Sequence, residues 1–257
     1  MIVDSLHILL DTFGAGTLLG IAVLALVTSA VHGATGIAGG FLLSAALAPL
    51  IGVKPIVPLI SVALLISHSS RAVLNFRSID LKAFLAISVP AFPCIVGVAL
   101  LYGKMSATMI AVVLGLVILS SIPIRRWAKS RNITAGTRTL NGAGAVYGAL
   151  SGASIGPGML LVPFMLGYGL SREAFVATLA LIAFATNVTR VGVFGSSNLL
   201  DPNYIVLGVG VGLLTIPGNW IGRSVLRRMT NESHSGLVDI LTIVGAANFF
   251  WLAFRGY

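Results

Sequence analysis

The chain has 257 residues, of which 57% are hydrophobic and only 9% charged, with a mean hydropathy of +1.02. A soluble globular domain carries roughly 25% charged residues. A chain this apolar cannot clothe a water-facing surface, which excludes cytosolic enzymes, nucleic-acid binders and secreted disulfide modules. The net charge of +9, from 16 Lys and Arg against 7 Asp and Glu, falls in short gaps between apolar runs. That placement fits the positive-inside rule for cytoplasmic loops and gives no reason to expect nucleic acid as a partner.

Met1–Leu10 contains Asp4 and His7 but no Lys or Arg, and the first basic residue is Lys54. A secretory leader needs a positive amino-terminal region. This start therefore reads as mature protein, with the amino terminus expected outside. Ten apolar segments follow, at about 14–33, 38–51, 55–75, 82–102, 106–124, 138–152, 157–169, 173–194, 203–225 and 235–254. A helix needs about 20 residues to cross a 30 Å hydrocarbon layer. Most segments reach or approach that length, but the second and seventh do not, and each follows a glycine-rich break. Runs such as Leu18–Val27 and Ile110–Leu119 are apolar on every side. Barrel strands alternate, so helices are expected. The predicted fold is an all-α integral membrane protein in one transmembrane domain spanning residues 1–257.

Positive charges orient the passes. Arg125, Arg126, Lys129, Arg131 and Arg138 share one loop, Arg77 and Lys82 flank another, Arg172 marks a third, and Arg223, Arg227 and Arg228 a fourth. Ten passes from an external amino terminus put all four clusters inside and the uncharged-by-Lys/Arg loop Gly195–Asn203 outside. Re-entrant hairpins at segments one–two and six–seven give the same sidedness. Cys94 lies in an apolar run and reads as a core residue, since a lone cysteine has no intramolecular disulfide to form.

An internal repeat organises the chain. Gly33-Ala34-Thr35 matches Gly152-Ala153-Ser154, Gly39 matches Gly158, Leu42 matches Leu161, and Ser67-His68-Ser69-Ser70-Arg71 matches Thr186-Asn187-Val188-Thr189-Arg190, all at an offset of 119. Pro93 and Pro217 match at 124, the longer Gly195–Asn203 loop absorbing the difference. Each half, 14–124 and 138–254, holds five segments. An odd number of passes makes the second half inverted relative to the first. Duplicated, inverted halves recur in secondary transporters, whose sites lie near the midplane where helices are broken. A duplication kept only for packing is the alternative, but this one preserves polar residues too.

The breaks, His32 to Gly40 and Ser151 to Gly158, open the two short segments. Helix N-termini starting inside the membrane carry unpartnered N–H groups and a positive dipole end, which suit an anion. Gly36, Gly39, Gly156 and Gly158 would let the backbone approach it, and Thr35 and Ser154 would add hydroxyl donors. Pro157 suits a first helical turn, where a missing N–H costs nothing. The alternative is close helix packing through small residues. Arg71 and Arg190 each stand near a segment end, preceded at three and four residues by His68 and Ser67, or Asn187 and Thr186. That spacing puts the polar side chains on the arginine's face. Snorkelling to the headgroups is the alternative for both arginines. As a pair, their planar forks suit the oxygens of sulfite, a sulfonate or a carboxylate.

The seven acidic residues are Asp4, Asp11, Asp80, Glu173, Asp201, Glu232 and Asp239, and all but Asp239 sit at or beyond segment ends. Cation carriers and most proton relays place carboxylates within the membrane, so an anion is the expected cargo. Asp239 reads as interfacial, with proton coupling as the alternative. His32 and His68 read as hydrogen-bonding groups, because Ser151 and Asn187 stand at their repeat mates, with proton uptake at physiological pH as the alternative. Nothing has metal-ligand spacing, and no cofactor is expected. Gly97–Lys104 fails as a phosphate loop, because its glycine spacing is one too long and Met105 follows the lysine. Gly142-Ala143-Gly144 reads as a packing face, and Trp127, Trp220 and Trp251 as interfacial aromatics.

A glycine-rich break before a short apolar segment, a polar helix end closing on Arg71 and followed by an Ile79-Asp80 turn, and the same plan repeated about 120 residues on: this pattern resembles the TauE/SafE family of sulfite and organosulfur-anion exporters over nearly the whole chain. The first break departs from the run of three glycines common there, reading Gly36-Ile37-Ala38-Gly39-Gly40. The resemblance implies a non-enzymatic exporter of sulfite or an organosulfonate such as sulfoacetate, in the bacterial cytoplasmic (inner) membrane. Its partners would be the small sulfur anion and membrane lipid, with a homodimer as the assembly to consider. The competing classes are a passive anion channel and an intramembrane lipid pyrophosphate phosphatase. The latter needs acidic residues that this interior lacks.

Overall fold

The computed structural model describes residues 2–35, 39–130, 134–226 and 231–256. Among them are ten α-helices and no strand: α1 (Ile2–Thr35), α2 (Gly39–Ile51), α3 (Val53–Leu74), α4 (Leu81–Tyr102), α5 (Ala107–Ser130), α6 (Thr137–Ala153), α7 (Gly158–Gly167), α8 (Arg172–Ser196), α9 (Pro202–Leu226) and α10 (Asn231–Arg255). Seven are long and apolar enough to cross a membrane, namely α1, α3, α4, α5, α8, α9 and α10, and α2 and α7 are shorter apolar helices. The all-α membrane reading is therefore borne out, and the two short helices follow the two breaks. The first segment begins where α1 bends. Gly14 takes φ 72° and ψ 153°, a conformation that L side chains rarely adopt.

Burial is arranged for lipid. Large apolar side chains face outward, with Phe254 92% and Trp220 78% exposed, while Ser61, Thr178, Thr242 and Arg190 are buried inside. Trp127 and Trp251 are exposed as well, and the Arg255 guanidinium lies 4.3 Å above the Trp251 ring centre. In lipid no hydrophobic drive joins helices, so close backbone approach must do so. One face of α6 shows how. A Cβ added at Gly144 would stand 2.3 Å from the Ile87 carbonyl oxygen, one at Gly148 would stand 2.4 Å from that of Ala91, and one at Gly152 would meet Val98 at 2.5 Å. Small residues every fourth position thus let α6 lie directly on α4. Gly142, on another face, would meet nothing within 4 Å.

Local signals fix several helix ends. Asp80 Oδ1 accepts from the Ala83 N–H at 2.9 Å and starts α4, and the Asp80 N–H donates to Thr178 Oγ1 at 2.9 Å, tying that turn to α8. Ser171 caps α8 in the same way through the Ala174 N–H. Asp239 pairs with Arg126 at 2.8 Å, joining α10 to α5 near a helix end.

The helix pairings have a repeating form. α1 lies along α9 as α6 lies along α4; α3 meets α9 as α8 meets α4; α10 meets α2 as α5 meets α7; α3 meets α8, and α5 meets α10. Exchanging each of the first five helices for its counterpart five later leaves this set unchanged. Apolar side chains gather in two clusters, a larger one around α1, α2, α3, α5, α9 and α10 with the C-terminal ends of α4 and α8, and a smaller one around the rest of α4, α6, α7 and the first half of α8. The site lies where their walls meet.

Candidate functional site

A cavity of about 80 Å³ lies between the two breaks. The end of α1 supplies His32, the start of α2 Gly40, and α3 Leu64, His68 and Arg71. Facing them, α6 supplies Tyr147 and Ser151, the second break Ile155 to Gly158, and α8 Thr186, Asn187 and Arg190. Its lining includes two arginines and two histidines and no Asp or Glu. Gly156 turns the chain there with φ 106°, which favours glycine, and Pro157 leads into α7.

Each half contributes an arginine bonded to the residue 39 positions before it, but the two contacts differ. Arg190 Nη1 donates to the carbonyl oxygens of Ser151 at 3.1 Å and Ser154 at 2.8 Å, and Nη2 donates to Asn187 Oδ1 at 2.5 Å. The Ser151 and Ser154 carbonyls close the C-terminal end of α6, where a cation meets the negative end of the helix dipole. Arg190 is 97% buried as judged by its 3% exposure. In the first half, Arg71 Nη1 stands 3.0 Å from His32 Nε2. The other ring nitrogen, Nδ1, accepts the Gly39 N–H at 2.9 Å, so His32 also satisfies one of the first donors of α2.

Several polar atoms of the lining have no partner. His68 Nδ1, Ser151 Oγ and Arg190 Nε are buried without a hydrogen bond among the described residues. Buried polar groups are nearly always satisfied, so three orphans around one cavity point to a polar occupant. Tyr147 is different: Thr186 gives its proton to the Ile182 carbonyl, so the Tyr147 hydroxyl donates to Thr186 Oγ1 at 2.9 Å.

The expected residues separate on this framework. His68, Arg71, Gly156, Gly158, Thr186, Asn187 and Arg190 line the cavity together. Gly39 and Ser67 line a smaller adjoining cavity of about 10 Å³, with His32, Ser29 and Thr215. Ser154 turns its hydroxyl back to the Leu150 carbonyl at 2.6 Å and lines neither. The Thr35 side chain and Gly36 lie outside the described residues, as do the side chains of Arg125, Lys129, Arg131, Arg172, Arg223, Arg227 and Arg228. Three polar wall residues, His32, Tyr147 and Ser151, were not among the expected binding residues. In the sequence His32 reads as a hydrogen-bonding group with proton uptake as the alternative, Ser151 reads as its repeat mate, and Tyr147, whose repeat mate is Thr28, carries no signal in the repeat. Tyr147 was legible only as the tyrosine one turn before Ser151.

Among known proteins, the family model described as Sulfite exporter TauE/SafE matches residues 21–249. No curated protein and no solved structure matches the chain.

Proposed function

The chain belongs to the sulfite exporter TauE/SafE family, and we propose that it is a secondary transporter that exports a small sulfur-containing anion, sulfite or a compact organosulfonate, across the bacterial cytoplasmic membrane by alternating access. The observation that carries this reading is the cavity between the breaks, with two arginines, three polar atoms that have no hydrogen bond among the described residues, and no carboxylate among its described lining residues. A buried cation without a counter-charge is costly, and an anion would supply it.

The halves 14–124 and 138–254 act as inverted repeats in this reading, supported by the five-helix exchange that preserves the most extensive pairings. Rocking of one half on the other would expose the anion to each side in turn. With the amino terminus outside and the interior negative, the membrane potential expels an anion at about 2.3 kcal/mol per charge per 100 mV. The test is calorimetric titration of the purified protein with sulfite, sulfoacetate, taurine, thiosulfate, sulfate, acetate and phosphate. Selective binding of a sulfur anion, lost in Arg71→Ala, is expected. No binding by any of them would overturn the reading.

A further inference from the structure

The anion reading leaves open which groups hold the ligand's oxygens, and hydrogen-bond bookkeeping at His32 answers it. His32 Nδ1 faces the Gly39 N–H at 2.9 Å, and Nε2 faces Arg71 Nη1 at 3.0 Å. Both partners are donors. Arginine has no acceptor, and a neutral imidazole has only one. With the proton on Nε2, that N–H meets the arginine's; with it on Nδ1, it meets the Gly39 N–H; a charged ring meets both. Every protonation state leaves this corner one acceptor short. The matching corner of the second half has no such deficit. There the partner of Arg190, 39 residues earlier, is the Ser151 carbonyl, a plain acceptor.

We propose, resting on the anion reading above, that His32 Nε2–H and Arg71 form a two-donor clamp that receives one oxygen of a fully deprotonated oxyanion, while Arg190 positions the wall by holding the end of α6. Nδ1 stays bonded to the Gly39 N–H, which fixes His32 as the neutral Nε2–H tautomer and aims its donor at the cavity. An oxygen accepting from both groups would part the two nitrogens from 3.0 Å to roughly 4–5 Å, given charged hydrogen bonds of about 2.8 Å. The clamp selects an acceptor-only oxygen, because an acid O–H placed there would meet donors on both sides. No carboxylate in the lining competes with the ligand for these donors. The other charged or titratable groups facing it are His68, Arg190 and Tyr147.

Two substitutions separate the ring's nitrogens. His32→Asn keeps an acceptor near Nδ1 and deletes the Nε2 donor; His32→Gln places a donor near Nε2 and gives up the Gly39 bond. With sulfite as the probe and the full-length protein, His32→Asn is expected to weaken binding about 10- to 100-fold, the loss of one hydrogen bond to a charged group. His32→Gln, which puts a donor back near that position, is expected to bind sulfite at least about threefold more tightly than His32→Asn. Equal affinity for His32→Asn and the unmodified protein overturns the clamp and leaves the anion reading intact. So does equal loss in both variants when their thermal unfolding is unchanged. Absence of sulfite binding by the unmodified protein overturns the clamp as a sulfite site, and absence of binding by every anion of the panel overturns the anion reading itself, and the clamp with it. If the variants do not fold, ¹⁵N-histidine NMR of the unmodified protein saturated with sulfite decides, with His7, His68 and His234 substituted for assignment. A neutral Nε2–H ring is expected at His32, and an Nδ1–H or charged ring overturns the proposal.

Discussion

Arg190→Ala is the substitution on which the structure speaks most fully. The guanidinium makes three hydrogen bonds, to the carbonyls of Ser151 and Ser154 and to Asn187 Oδ1. Alanine removes all three and leaves two buried carbonyls at the end of α6 without that donor. Each orphaned group costs about 1–3 kcal/mol, which sums to about 4 kcal/mol. In a chain of this size, 1 kcal/mol moves Tm by about 2–4 °C, so a fall of roughly 8–16 °C is expected. The assay is thermal unfolding of the detergent-solubilised protein without ligand, with Arg71→Ala measured beside it. Arg71→Ala serves as the comparison, because its close contact with His32 Nε2 is one between two donors. A fall below about 2 °C for Arg190→Ala would refute the idea that Arg190 locks α6.

Other outcomes follow from the same geometry. Gly148→Ala would place a Cβ 2.4 Å from the Ala91 carbonyl oxygen and is expected to cost about 1–3 kcal/mol by overpacking, whereas Gly142→Ala, with open space around it, is expected to be neutral or to stabilise by up to about 1 kcal/mol; paired unfolding curves check both. Asp80→Ala removes the cap of α4 and is expected to cost about 1 kcal/mol, read as a Tm lowered by about 2–4 °C. Asp239→Asn breaks an ion pair whose arginine side chain is 73% exposed. It is expected to leave sulfite flux nearly unchanged, and a large loss of flux would revive a proton-coupling role for that residue.

Much of the architecture was legible because lipid imposes simple rules. Apolar runs marked the ten helices, the glycine-rich breaks marked the two short ones, and the polar triplets ending in Arg71 and Arg190 marked the helix faces that line the cavity. The remainder depended on contacts between helices that spacing along the chain does not express. Ser154 looked like an anion donor until its hydroxyl proved to bond one turn back, to Leu150. The two arginines looked equivalent, because the repeat aligns them. Their partners do not match: a histidine ring stands at one corner and a backbone carbonyl at the other. A carbonyl is present at every residue and leaves no mark in a sequence. Gly144, Gly148 and Gly152 likewise read as composition until α4 was found lying on them.

The most direct test of the account is sulfite flux in proteoliposomes holding the purified protein and an imposed potential. Vesicles preloaded with unlabelled sulfite should take up radiolabelled sulfite faster than empty ones. The flux should saturate, respond to the sign of the potential, and vanish in Arg71→Ala at equal reconstitution. Flux no greater than in protein-free vesicles, or flux that Arg71→Ala leaves unchanged, would contradict the central claim.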